Sequence, residues 1–276
     1  MNIKADLHLH TTASDGKLSP SELVNLAYKE GLNIIAITDH DTTKGIDDAL
    51  LAAETLSIKV IPGIELSTQH NGETVHILGY FRDNNYKKEG FQKYLQDMKA
   101  HRIYRGKEII RRLKEYFDIS LDYGSLLKEA KGVIARPHIA RAIIEAGYNY
   151  SWEYIFDKIL SSNSPAYVPN KKLSTEDGIK LLKSVNAIVV LAHPVLVKKT
   201  PCEELIKLDF HGIEAIYPLN SEYDTNRYIN LALNNKKLVT AGSDYHGGDA
   251  GDVKHGYIGK INYNEAHLQE FLKFLK

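Results

Sequence analysis

Nine side chains able to bind a metal, His8, His10, Asp15, His40, Glu65, His76, His193, Asp244 and His246, each close a short apolar run or follow one within a few residues, except His76, which lies inside its run. A lone strand histidine is ordinarily a hydrogen-bonded structural residue, and His76 taken singly would read that way. Nine such groups on strand-like runs instead describe a polynuclear metal site. The donors are imidazole and carboxylate without thiolate, which suits manganese, zinc or iron and is too rich in nitrogen for a magnesium or calcium cage.

Strands must position these groups. In Ala5-Asp6-Leu7-His8-Leu9-His10 the period of two sends both imidazoles to one side. The runs at 34–38, 59–64 and 74–80 carry His40, Glu65 and His76; those at 187–192 and 238–242 lead into His193 and into Asp244 and His246, and a further run lies at 213–217. Helix signals fall between strands. Ser19-Pro20-Ser21-Glu22 reads as N-cap, first-turn proline and capping-box partner with Gly31 as the stop, and Ser174 opens another helix. Seven strands alternating with helices predict a parallel, barrel-like α/β sheet with the site on its C-terminal loops.

The 276 residues, 43% of them hydrophobic, suffice for one sizeable core and a smaller module. Lys and Arg balance Asp and Glu at 35 each, so no global charge drives attraction to long duplex nucleic acid or to an anionic membrane. No apolar stretch reaches the ~18 residues of a membrane span, and the expected location is cytoplasmic. The single Cys202 excludes an internal disulfide and reads as structural. Oligomeric state is not legible.

Residues 86–183 interrupt the strand pattern. They divide the expected barrel, 1–85 and 184–276, around a mainly helical insertion covering the active site, with Phe91, Tyr94, Leu95, Met98, Ile103, Ile109, Ile110 and Leu113 at helical spacing. The insertion carries nineteen Lys and Arg against twelve Asp and Glu, so the rest of the chain is net negative. Most of these cations, Lys107, Arg111, Arg112 and Lys114 among them, read as a solvated helix face. Arg136 and His138 differ because Pro137 at a helix start would fix their directions, and arginine grips phosphate bidentately.

The motifs Asp6-Leu7-His8-Leu9-His10 with Asp15-Gly16, Thr38-Asp39-His40-Asp41, Pro62-Gly63-Ile64-Glu65, Ala192-His193-Pro194 and Ser243-Asp244-Tyr245-His246 resemble, in order, those of the PHP (polymerase and histidinol phosphatase) family of metal-dependent phosphoesterases. The resemblance implies a distorted seven-stranded (β/α)7 barrel and a site for two or three divalent ions. In the family pattern His8, His10, Glu65 and Asp244 hold one ion, Glu65 bridges to a second held by His76 and His193, and Asp15, His40 and His246 hold the third. Histidinol phosphatases of the family usually have histidine where this chain has Asp15. The segments around Arg136 and Ala166-Tyr167-Val168-Pro169 are instead similar to members that dephosphorylate nucleoside 3′,5′-bisphosphates or degrade short RNA from its 5′ end.

By that comparison Arg136 holds a substrate phosphate, followed by His138 and then Lys171 or Lys172. His138 is the candidate acid for the leaving group, and Asp39 or Asp41 would orient a ligand imidazole. The expected reaction is attack of a metal-bridging hydroxide on a phosphate monoester of a small nucleotide, most simply a nucleoside 3′,5′-bisphosphate. The alternatives are a 5′-to-3′ exonuclease on short RNA, a histidinol phosphate phosphatase and, outside catalysis, a structural metal-binding domain.

Overall fold

The computed structural model describes residues 3–129, 134, 136–169, 171, 173–248 and 255–276. In chain order the elements begin with β1 (Ala5–Leu9), α1 (Pro20–Lys29), β2 (Ile34–Ile37), α2 (Ile46–Ala53), β3 (Lys59–His70) and β4 (Glu73–Phe81). Four helices follow, α3 (Glu89–Phe117), α4 (Tyr123–Glu129), α5 (Arg136–Glu145) and α6 (Trp152–Tyr154), the last running into a wider turn at Ile155–Ile159. The chain returns through α7 (Thr175–Ser184), β5 (Ala187–Leu191), α8 (Cys202–Leu205), β6 (Gly212–Ile216), α9 (Glu222–Asn234), β7 (Leu238–Ala241) and α10 (Glu265–Leu275). Two compact units result, Met1–Gln92 with Lys172–Lys276, and Lys93–Lys171. The second is narrower at both ends than the 86–183 expected.

The seven strands of the first unit lie side by side in sequence order. The outer strands approach one another through a bridge between Leu9 and Tyr245 and a hydrogen bond from the His10 N–H to the Tyr245 carbonyl at 3.0 Å, so the sheet is a nearly closed barrel. It is not all parallel, as its sequence suggested: β4 runs antiparallel to both β3 and β5. The cause is local. Asn71 and Gly72 take positive φ values of 46° and 80°, the pair of left-handed residues that a two-residue hairpin requires, and β3 therefore turns directly into β4.

Inward-facing Leu7, Ala36, Ile61, Leu78, Tyr80, Val190 and Ala241 fill the barrel, with Leu268 and Phe271 of α10 packed into the same cluster. Leu9, Ile35, Ile37 and Val60 face the other way, against Leu23, Val24 and Ala27 of α1. In β1 the alternation reverses between Leu7 and Leu9, where the pairing with β2 gains one residue in β1. This bulge brings His8 onto the inner side with His10. Ser19 and Glu22 form the capping box of α1, and Ser174 caps α7.

The second unit has its own core, built from Ile109 and Leu113 of α3, Ile139 and Ile143 of α5, and Ile155, Ile159 and Val168. Arg112 donates to the Tyr167 carbonyl at 2.6 Å and to Glu108, while Arg111 pairs with Glu108 and Glu115, and Lys114 with Asp118. These cations stabilise the helix and its neighbour. Among the described residues no helix is long and apolar enough to cross a membrane.

Candidate metal centre

The site is assembled around Glu65. Its Oε1 lies 2.8 Å from His76 Nδ1 and 2.8 Å from His193 Nε2. Its Oε2 lies 3.2 Å from both His8 Nε2 and His10 Nε2 and 3.0 Å from His40 Nδ1. Asp244 Oδ1 faces the same two nitrogens at 3.4 and 3.2 Å, and Asp15 Oδ1 lies 3.3 Å from His246 Nε2. All nine expected ligand residues are thus gathered at one end of the barrel.

The topology explains two placements that the sequence pattern described less well. Glu65 sits inside a twelve-residue β3, not at its end, because the strand continues past the barrel as half of the hairpin. His76 stands near the start of β4, since an antiparallel strand presents its N-terminal end where its parallel neighbours present their C-terminal ends.

Chemically, the donors fit divalent ions. His8 Nε2, His10 Nε2, Glu65 Oε2 and Asp244 Oδ1 are buried and lie close together, yet none has a hydrogen-bond partner. Unpartnered buried groups are costly, so atoms that approach without hydrogen-bond alignment are those expected of ligands aimed at a shared cation. A second group joins His10, Asp15, His40 and His246, and a third His40, Glu65 and His76.

Groups behind the donors fix them. Glu214, fully buried in β6, bonds His8 Nδ1 at 2.9 Å and accepts from the His193 backbone N–H at 2.8 Å. A carboxylate accepts, so the Nδ1 of His8 carries the proton and Nε2 is directed to the site. His246 Nδ1 is held similarly by the Asp244 carbonyl at 2.7 Å, and Tyr217 donates to Asp244 Oδ2 at 2.9 Å. His193 and Asp244 both adopt left-handed backbone, φ 23° and 55°, a strain typical of functional sites and here restrained by these contacts. Gly242 is required beside them: a Cβ there would come within 2.2 Å of His8 Cβ and 2.5 Å of Glu214 Oε1.

Asp39 and Asp41 hold the loops that carry two of the candidate ligands. Asp39 accepts from the Thr11 N–H and hydroxyl, each at 2.8 Å, and from the Ser14 hydroxyl at 2.6 Å, holding the loop that carries Asp15. Asp41 accepts from the Ser67 N–H and hydroxyl, tying the His40 loop to β3. The sequence reading missed Glu214 and Tyr217, although one acid inside the apolar run Gly212-Ile213-Glu214-Ala215-Ile216 is a signal of a buried, partnered charge. His255 carries no comparable signal, since no apolar strand-like run leads into it. In the structure His255 lines the site, its ring 4.2 Å from that of His246, with a nitrogen near donor atoms of Asp244 and His246.

Burial opposes charge on His8 and His10, but the surrounding carboxylates prevail. Glu214, Asp244 and Glu65 hold His8 well above the usual histidine range, and Asp244 and Glu65 raise His10 to about 10. Burial and neighbouring imidazoles lower His40 to about 4 against the pull of Glu65. Glu65 and Asp244 are held far below ordinary carboxylates despite burial, by His40, His76 and His8 in one case and by His8 and His10 in the other. Without ions, protons on His8 and His10 therefore partner the carboxylates, and ions must displace them. Loading the metal-free protein near neutral pH is expected to release protons, and metal affinity should rise with pH. Indicator-dye titration measures the release; none at all would show that the imidazoles are already neutral.

Of the proposed substrate contacts, Arg136 opens α5 and donates to the Leu160 carbonyl at 3.5 Å, with Pro137 and His138 in the same first turn. Lys171 donates its backbone N–H to His101 Nε2 at 3.0 Å, and Lys172 lies outside the described residues. Cys202 is buried, and burial pushes its thiol up to about 12, consistent with a structural residue.

A seven-stranded barrel with clustered imidazole and carboxylate donors at one end defines a metal-dependent hydrolase of the phosphoesterase type. The PHP domain pattern matches residues 6–160, and the chain belongs to that family. It is 37% identical over 195 residues, 71% of this chain and 70% of the relative, to a protein named 5′-3′ exoribonuclease from Haemophilus influenzae. It is 30% identical over 261 residues, 91% of this chain and 90% of the relative, to a 3′,5′-nucleoside bisphosphate phosphatase from Chromobacterium violaceum. A Bifidobacterium adolescentis structure solved as a candidate metal-dependent phosphoesterase superposes with TM-score 0.74 at 28% identity, covering 99% of this chain and 96% of the other.

Proposed function

We propose that this protein hydrolyses a phosphate monoester of a small nucleotide, a nucleoside 3′,5′-bisphosphate in particular, with two or three divalent ions, manganese, zinc or iron. The observation that carries this reading is the opening of the Glu65-centred donor cluster into a cavity of about 330 Å³, a volume suited to a small ligand. The C. violaceum relative, matched along nine-tenths of both chains, supports the choice of ester.

When bound, the ions supply Lewis acidity, lowering the pKa of water and neutralising phosphoryl charge. The chain's own part is positioning. Glu65 spans the histidine groups with separate oxygens, Glu214 and the Asp244 carbonyl set the tautomers of His8 and His246, and Asp39 and Asp41 hold the loops that carry Asp15 and His40. Arg136 is assigned to a substrate phosphate, with Lys171 and Lys172 as further cations, and His138 to the leaving-group proton. Support for Arg136 lies within its own unit. Arg105, partly buried and bonded to the Val168 carbonyl, has its pKa lowered by burial and then by the charge of Arg136, and neither pairs with a carboxylate among the described residues. Two cations held together in this way favour an anion.

A second reading, a 5′-3′ exonuclease on short RNA, is favoured by relatives of that name, including a Salmonella typhimurium protein 31% identical over 249 residues. Phosphate release by manganese-loaded protein from adenosine 3′,5′-bisphosphate, AMP, histidinol phosphate and a short 5′-phosphorylated RNA separates the two. The bisphosphate should turn over fastest, and Arg136→Ala should raise its KM about 10- to 100-fold, the loss of a charge-assisted contact. Faster shortening of RNA would make the exonuclease primary.

A further inference from the structure

We infer that Leu196 and Val197 form the seat of the ester's leaving group, and that this seat takes the sugar and base of a nucleoside. The inference rests on the nucleotide reading above and deepens it. The cavity beside Glu65 is lined largely by candidate metal ligands. Its other lining residues are Thr74, Leu196, Val197 and His255, so beyond the phosphate the cavity presents mainly an aliphatic ledge.

The ledge is prearranged. It follows His193 immediately in a 3-10 turn at Pro194–Leu196, closed by hydrogen bonds from the Leu196 N–H to the His193 carbonyl at 3.0 Å and from the Val197 N–H to the Pro194 carbonyl at 3.1 Å. One end is therefore fixed to a candidate ligand, itself held by Glu214. The other end is clamped by the Glu73 carboxylate, which accepts from the successive backbone N–H groups of Lys198, Lys199 and Thr200 at 2.6–3.0 Å. Glu73 neighbours Thr74, so the same residues of β4 also carry the polar part of the wall. Leu196 is 43% exposed in spite of this rigid backbone. A single exposed leucine is ordinary; one held by two anchors at the edge of a metal-ligand cavity is prearranged for contact.

Chemistry selects the occupant. Histidinol phosphate carries an ammonium close to its phosphate and would call for a carboxylate outside the ligand set. Among the described residues lining the cavity there is none. A nucleoside offers the ribose C–H face and a flat base, which an aliphatic ledge can cover.

The test compares manganese-loaded wild type, Leu196→Ser and Leu196→Met on adenosine 3′,5′-bisphosphate, histidinol phosphate and methyl phosphate. Leu196→Ser should lower kcat/KM for the bisphosphate about ten times more than for methyl phosphate, through KM, and Leu196→Met should restore most of it. Equal losses on both esters would assign the ledge a purely structural role, and no loss would make it idle; either overturns the inference while leaving the substrate reading intact. A wild type that prefers histidinol phosphate to the bisphosphate overturns both.

Discussion

Glu65→Gln is expected to lower kcat/KM for the phosphate ester by about 10³-fold and to reduce the number of ions retained per chain. The reason is the division of labour between its oxygens. Oε1 faces His76 and His193, Oε2 faces His8, His10 and His40, and both oxygens are fully buried. Glutamine preserves the shape but places an amide donor against one of these sets and removes the negative charge that both share. In the metal-free protein the same charge helps to hold protons on His8 and His10, so the variant should also release fewer protons on loading. Stability is a third readout, because ligands that bind only the folded state stabilise it by about 4 kcal/mol at a thousand times Kd, and much of that metal-induced rise in Tm should disappear. Metal content by mass spectrometry after gel filtration, thermal unfolding and phosphate release together decide the matter. A variant retaining full metal content and activity would show that Glu65 does not join the two sides of the centre.

What the sequence discloses about this centre is its donor set, and the reason is periodicity. His8 and His10, or Asp244 and His246, stand two apart beside apolar runs, and such spacing survives translation into structure even where the details change. The details do change. His8 reaches the inner side through a one-residue bulge, which no alternation pattern announces, since a bulge is defined by a partner strand. His76 and Glu65 are connected through a hairpin marked by Asn71-Gly72 between two strand-like runs, a signal that the alternation of strands and helices in the rest of the chain obscures. Glu214 lay outside the reading for another reason. Its importance comes from His8 and from the His193 backbone, 206 and 21 residues away, and only the barrel brings the three together. Substrate contacts are least legible, because they depend on the directions of loops such as the one carrying Leu196.

Glu214 is also where the second large effect is expected. Glu214→Gln should weaken metal binding about 10- to 100-fold, the usual consequence of removing a carboxylate behind a ligand histidine, and lower activity at limiting metal by a similar factor. The wild-type carboxylate accepts twice, from His8 Nδ1 and from the His193 N–H. An amide has one acceptor oxygen, so whichever way it sits one of those donors faces another donor. If the NH₂ faces His8, the imidazole shifts its proton to Nε2 and loses the lone pair directed at Glu65 and Asp244. If it faces His193, the left-handed backbone that presents that residue loses its restraint. Repacking offers little relief, because the absence of a Cβ at Gly242 is what lets His8 and Glu214 meet at all. Glu214→Ala should do worse, leaving two buried donors unpaired at about 1–3 kcal/mol each, and should lower Tm before any metal is added. The glutamine variant therefore separates positioning from folding. If it keeps the wild-type Tm in the metal-free state yet binds manganese weakly, Glu214 acts through the imidazole; if affinity and turnover stay unchanged, its role is confined to holding β6 against β1.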